Sequence, residues 1–168
     1  MHPLAKNAVG NLNIVVDLAL DFFLIYSRFE YAAKDNGHVQ KPAAPTELRL
    51  SHNSLAMVID ADLQAHILTN PSLRGAVEYY ENDPPRKQIW DGTKPDWKVT
   101  VQQEPMRSER LLIWLTRVRN NLFHGGKGFE PESKKIGRDM ALLENGLVII
   151  EAILACDEDM RSSFSSYQ

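Results

Sequence analysis

With a single cysteine, Cys156, the chain cannot close an internal disulfide, and no Cys/His cluster carries zinc-ligand spacing, so both of the usual staples are excluded. A reducing, cytoplasmic compartment is the expectation. The first apolar run, Ile14 to Tyr26, is too short for a bilayer and is interrupted by Asp17 and Asp21 one helical turn apart, which makes it an amphipathic helix rather than an anchor. No membrane partner is expected. Nothing upstream pairs a basic leader with a small-residue cleavage site, so the chain is expected to begin as the mature protein begins. Strand signals are few, and internal repeats and low-complexity tracts are absent.

What is there suits one packed core. The 43% hydrophobic and 24% charged fractions are globular rather than disordered, and 168 residues are ample for one core but short for two. A single domain over residues 1–168 is expected. A first helix is read from about Gly10 to Asp35, stopped by Asn36-Gly37 because glycine takes the left-handed C-terminal conformation without penalty. A proline-containing connection, Gln40 to Pro45, follows. Ser51 to Leu68 read as a second helix, with Leu55, Val58 or Ile59, Leu63 and Ile67 at helical spacing, and Pro71 restarts a short helix through Tyr80. Glu81 to Lys98, with Pro84, Pro85, Gly92 and Pro95, read as an ordered surface loop. Its Trp90 and Trp97 either cap the bundle or offer stacking surfaces to bases.

A third long helix, about Glu104 to His124, carries Leu111, Leu115, Val118 and Leu122 as one stripe. A last one, about Ser133 to Phe164, carries Ile136, Met140, Leu143, Leu147, Ile150 and Leu154 in alternating steps of four and three, the seam of a bundle. Lys98 to Val101 are at most a short extended piece. The expected fold is all-α, a bundle of four to five helices.

The formal charge of −3 argues against a nucleic-acid binder, but its distribution does not. Eight Lys or Arg and three Glu lie between Arg107 and Arg138, a net of +5 that leaves −8 for the rest. Such asymmetry focuses field on an anionic ligand even where the whole molecule is acidic, although a solvated basic face accounts for it equally well.

Within that segment stands Arg117-Val118-Arg119-Asn120-Asn121-Leu122-Phe123-His124-Gly125-Gly126-Lys127. Arginine supplies a permanent, forked cation for phosphate oxygens, and histidine, with an unperturbed pKa of about 6.5, gives or takes a proton near neutrality. No metal or cofactor is required for that pair to act. At about 100° per residue, Arg110, Arg117, Asn121 and His124 share one stripe, while Arg119 lies about 140° from His124 by the same geometry. Arg119 therefore meets His124 only where the helix loosens, as Gly125-Gly126 favours, or across two molecules. The helix C-terminus favours a charged imidazole and Arg117, Arg119 and Lys127 oppose it, so His124 is expected to titrate near neutrality. A bare C-cap is the plainer role for such a histidine.

These residues resemble the HEPN superfamily, small helical proteins whose signature is an Arg, often followed by Asn, Asp or His, with four to six residues before a His. Arg119-Asn120-Asn121-Leu122-Phe123-His124 matches the four-residue spacing, Arg117 to His124 the six-residue one, and Asn120 favours Arg119 as the family's arginine. The motif's place on a late helix, followed by one more long apolar helix, is also similar, as is Arg28-Phe29-Glu30-Tyr31 to HEPN proteins of plasmids and mobile elements. The resemblance implies a metal-independent endoribonuclease of a bacterial defence, toxin or mobile-element system, working on RNA, tRNA loops included, as a homodimer whose two motifs line one cleft. His124 would be general base or acid, Arg119 assisted by Arg117 would stabilise the transition state, and Asn120 would orient a phosphate oxygen or the histidine. Asn121 and Lys127 would support phosphate binding. Gly126 stands where some HEPN toxins carry a tyrosine that a partner nucleotidyltransferase modifies, so an antitoxin partner would act by another route. Many HEPN proteins are instead noncatalytic RNA-binding, nucleotide-binding or interaction modules, and that is the alternative function here.

Glu30 falls on the helical stripe of Leu12, Val16, Phe23 and Tyr26, where an apolar residue is expected, and a carboxylate there needs a partner. Arg119 or Arg117 is the obvious one; a frayed helix end with Glu30 in water is the other reading. Asp17, Asp21 and Arg28 fall on the opposite side, where solvation suffices.

Overall fold

The computed structural model describes residues 15–40, 47–100, 103–123 and 135–166. The elements in chain order are α1 (Val16–Asp35), α2 (His52–Thr69), α3 (Pro71–Asn82), β1 (Lys87–Trp90), β2 (Pro95–Lys98), α4 (Arg107–Phe123), α5 (Lys135–Ala155) and α6 (Glu158–Ser165). The described residues are mostly helical, with six helices rather than four or five and one small sheet.

Local chemistry accounts for the boundaries. Gly37, at φ 83°, turns the chain after α1, and the N–H groups of Gly37 and His38 satisfy the carbonyls of Lys34 and Ala33, as a glycine stop requires. The Ser51 side chain caps α2 by accepting from Ser54 N at 3.2 Å. Asn70 ends α2 and starts α3, its Oδ1 accepting from Ser72 N and Leu73 N, with Pro71 in the first helical position, where a missing N–H costs nothing.

Two differences from the sequence reading have clear causes. The last helix is not continuous to Phe164. It breaks after Ala155, and Asp157 (φ −141°, ψ 108°) starts α6 by accepting from Met160 N at 2.9 Å. The acidic run Asp157-Glu158-Asp159 is an N-terminal signal that the apolar periodicity overrode. The segment after Asn82 is also not all loop. Lys87–Trp90 and Pro95–Lys98 pair antiparallel, Lys87 opposite Lys98 and Trp90 opposite Pro95. The turn between them is built by Asp91, whose Oδ1 accepts from Thr93 N at 2.7 Å and Lys94 N at 2.8 Å, and by Gly92 at φ 106°, an Asp-Gly pair of the kind hairpins use.

The core is one cluster drawn from all six helices. Phe22, Tyr26 and Phe29 of α1, Ile59 and Leu63 of α2, Tyr80 of α3, Leu111 and Leu115 of α4, Ile150 of α5 and Met160 of α6 are all buried. In α2 it is Ile59 that turns inward, while Val58 is 55% exposed. In α5 the buried stripe is broader than the simple seam, taking in Leu142, Ile149 and Ile153 as well as Leu143, Ile150 and Leu154, whereas Met140 and Leu147 are half-buried. Gly146 of α5 sits where Tyr80 and Phe22 press closest; a Cβ there would lie 2.7 Å from Tyr80 Oη and 2.8 Å from Phe22 Cε2. Arg28 is not merely solvated: its guanidinium donates to the carbonyls of Ser163, Phe164 and Ser166, closing the C-terminal end of α6. No helix among the described residues is long and apolar enough to cross a membrane.

Candidate functional site

The site is built on the polar side of α4. At about 100° per residue, Arg119, Thr116, Asn120, Arg117 and Asn121 follow one another around roughly half of the helix circumference. The apolar half, Leu111, Leu115 and Val118, is buried in the core, which fixes where the polar half points. The N-terminus of α4 is held to α2 by Asp60, whose Oδ1 accepts from Ser108 Oγ at 2.6 Å and from Ser108 N at 3.3 Å.

On the α1 side, Arg119 Nη2 donates to Glu30 Oε2 at 3.0 Å, and its guanidinium lies over the Tyr26 ring, 5.3 Å from the centroid. Lys34 Nζ takes the other Glu30 oxygen at 3.2 Å. Of the two sequence readings of Glu30, the structure has the partnered one, with Arg119 as the partner; α1 is not frayed there.

In the middle of the arc, Thr116 Oγ1 meets three groups: Leu112 O at 3.0 Å, Tyr26 Oη at 2.8 Å and His52 Nε2 at 2.8 Å. A hydroxyl has one proton to give. Leu112 O can only accept, so Thr116 donates to it, and Tyr26 and His52 Nε2 both donate to Thr116. Burial above all pushes the Tyr26 phenol up to about 12, which keeps it protonated for that role. His52 then carries its proton on Nε2 and a lone pair on Nδ1. Burial lowers the His52 pKa below its ordinary value, against the opposing pull of Glu109, Glu30 and Glu104, so the imidazole is neutral near pH 7.

On the far side, Arg117 Nη1 donates to Pro85 O at 3.1 Å and Asn121 Nδ2 to Arg86 O at 2.9 Å. The two residues share a face, as their spacing predicts, and they fasten the base of the hairpin to α4. Burial also disfavours the Arg117 charge, with Glu104 partly compensating. No carboxylate among the described residues pairs with Arg117.

Between these groups lies an open groove of about 380 Å³, lined by His52, Lys87, Thr116, Arg117, Asn120 and Asn121. It brings together three of the residues singled out by the motif and leaves Arg119 on the α1 side. Arg110, expected on the Arg117 stripe, is engaged by the carbonyls of Glu104 and Pro105. His124 and Lys127 lie outside the described residues. His52, Thr116 and Lys87 were not visible as site residues in the sequence. Ser51-His52 reads locally as a cap and a first helical residue, and only the packing of α2 on α4 brings it to Thr116.

Chemically, the groove offers a partly desolvated guanidinium, a lysine, two carboxamides and a neutral imidazole, a donor-rich set suited to an anion that also carries hydrogen-bonding groups. Among the described residues no group of three His, Cys, Asp or Glu side chains could hold a metal ion. No family model, curated protein or solved structure matches this chain.

Proposed function

We propose that this protein is a metal-independent endoribonuclease of the HEPN type, serving a bacterial defence, toxin or mobile-element system as a homodimer. The observation that carries the reading is Arg117: a half-buried cation in no carboxylate ion pair among the described residues, with only the field of Glu104 to offset its burial, facing a groove beside a neutral histidine and the carboxamides of Asn120 and Asn121. A cation whose burial disfavours its charge gains most from an anionic ligand, and a phosphodiester is the anion that a forked guanidinium fits best. The ribose 2′-hydroxyl attacks the adjacent phosphorus, the P–O5′ bond breaks, and a 2′,3′-cyclic phosphate and a 5′-hydroxyl result. His124 takes the 2′-hydroxyl proton or delivers one to the leaving 5′-oxygen, and an arginine stabilises the charge that builds on the phosphoryl oxygens.

The geometry favours Arg117, at six-residue spacing from His124, for that last role. Arg119, bound to Glu30, becomes the residue that holds α4 against α1. The same ion pair supports the second reading, a noncatalytic RNA-binding module, because it neutralises the arginine that the motif would otherwise nominate. Wild type, His124→Ala and Arg117→Ala should be incubated with total RNA and tRNA in EDTA and the product ends analysed. Cyclic-phosphate ends from wild type, reduced by on the order of 10²-fold or more in His124→Ala with helicity unchanged, support the nuclease. RNA bound and left intact by wild type supports the binding module instead.

A further inference from the structure

We propose that α2 pairs antiparallel with α2 of a second copy of this chain, through the face it turns to solvent. The proposal goes beyond the ribonuclease reading and rests on none of its residues. α2 carries apolar residues on both of its faces, the composition of a helix that is covered all round. One face meets that expectation, with Leu55, Ala56, Ile59, Leu63 and Ile67 buried. The opposite face does not. Met57 is 71%, Val58 55% and Leu68 72% exposed, and Ala61 and Ala65 between them are exposed as well. At about 100° per residue these five fall within one arc of about 100°. Val58, Ala61, Ala65 and Leu68 follow one another in alternating steps of three and four, the spacing of a helix–helix seam.

The chemistry of the face selects its occupant. α2 has no Lys or Arg, so it offers nothing to the phosphates of RNA or of an anionic lipid surface, and Arg74 of α3 is turned onto the carbonyls of Ile67 and Leu68. A strongly charged protein would gain little from a seam without charge. What fits is an uncharged helix face, small in the middle and large at both ends, and α2 is itself such a helix. In an antiparallel pair centred at the level of Leu63, Val58 of each copy lies opposite Leu68 of the other, and Ala61 opposite Ala65. The alanines let the backbones approach, and the helix dipoles oppose rather than align. The five side chains expose roughly 400 Å² per copy, about half of what a standard interface takes from each partner, so the product is a reversible dimer of micromolar affinity. His52 lies about 160° around α2 from the middle of the seam, so the groove that it lines opens away from the seam in each copy.

Sedimentation equilibrium of the full chain should show a monomer–dimer equilibrium between about 1 and 100 μM. Its affinity should hold or rise with salt, because Asp62, beside the seam, comes to the same side in both copies and repels its counterpart. Val58→Lys and Leu68→Glu place good helix formers at exposed positions, so circular dichroism should be unchanged. Each sets a charge in an apolar seam and should weaken association by at least about tenfold. Mixed in equal amounts, the two variants should associate again, since the antiparallel register puts the new cation of one beside the new anion of the other. A wild type that stays monomeric throughout that range, a dimer that neither substitution weakens, or a mixture that remains monomeric would each overturn the pairing. RNA cleavage in EDTA is read separately on the same samples. Wild type that dimerises through this seam and leaves RNA intact removes the nuclease and keeps the seam, whereas cleavage by a wild type that is monomeric, or whose dimer ignores both substitutions, keeps the nuclease and removes the seam.

Discussion

His52 shows how much a single residue's meaning depends on its tertiary neighbours. Its folded pKa is depressed mainly by burial, so between that value and the unfolded value of about 6.5 the unfolded chain binds more protons than the folded one. Stability must then rise with pH through that window and fall as pH drops below about 6.5. His52→Gln keeps a donor toward Thr116 and removes the titration. Urea midpoints at pH 7.5 and 5.5 should differ more for wild type than for His52→Gln; equal differences would mean that the imidazole is not desolvated as the packing on Thr116 requires. Glu30 and Arg119 present a different balance. Their side chains are 22% and 30% exposed, so their pairing is worth about 1 kcal/mol or less. Replacing both by Met should change stability by less than about 1 kcal/mol, because the pair's work is to set the rotation of α4 beside α1. A much larger loss in chemical denaturation would show it to be a stability element.

At the scale of elements, periodicity was enough to locate all four long helices, because apolar spacing and caps are local properties, but their inward faces only in part: on α1 the buried stripe runs through Phe22, Tyr26 and Phe29, with Val16 and Phe23 half-buried beside it. It failed where a local signal competed with a longer one. The stripe through Leu154 hid the Asp157 cap, and few β-branched residues flank Asp91-Gly92, so the hairpin had little but its turn to announce it. Asp157→Ala should cost about 1 kcal/mol, the usual worth of such a cap, with the loss expressed in α6 first. Gly146 tests packing against propensity. Alanine gains about 1 kcal/mol of helix propensity over glycine, but its Cβ would collide with Tyr80 and Phe22, both fully buried, and overpacking of this kind costs about 1–3 kcal/mol. Packing should win, and Gly146→Ala should lower the denaturation midpoint; a rise would mean that the two rings can yield.

For the whole molecule, the motif could be read from the sequence, but not which of its side chains face the same groove, since that depends on α1, α2 and the hairpin arriving from segments tens of residues away. Arg117 and Arg119 are two residues apart and serve opposite neighbours, one the hairpin and the other α1. The consequence is mechanical as well as chemical. An isolated two-stranded hairpin is marginal in water, and this one is fastened to the bundle through Asn121 to Arg86 O, Arg117 to Pro85 O and Arg138 to Pro84 O, so Asn121 and Arg117 serve both the hairpin and the groove. A contact this peripheral to the core should open locally, well below the free energy of global unfolding. Asn121→Ala removes one neutral hydrogen bond, worth about 0.5–1.5 kcal/mol. Amide exchange in Lys87–Trp90 and Pro95–Lys98 should then quicken by about two- to tenfold, the rate equivalent of that energy, while exchange in the cores of α2 and α4 stays as in wild type. Uniform acceleration across the chain would mean that the hairpin is integral to the bundle. Acceleration confined to the hairpin would mean that the residues lining the groove also set how firmly its cationic rim is held.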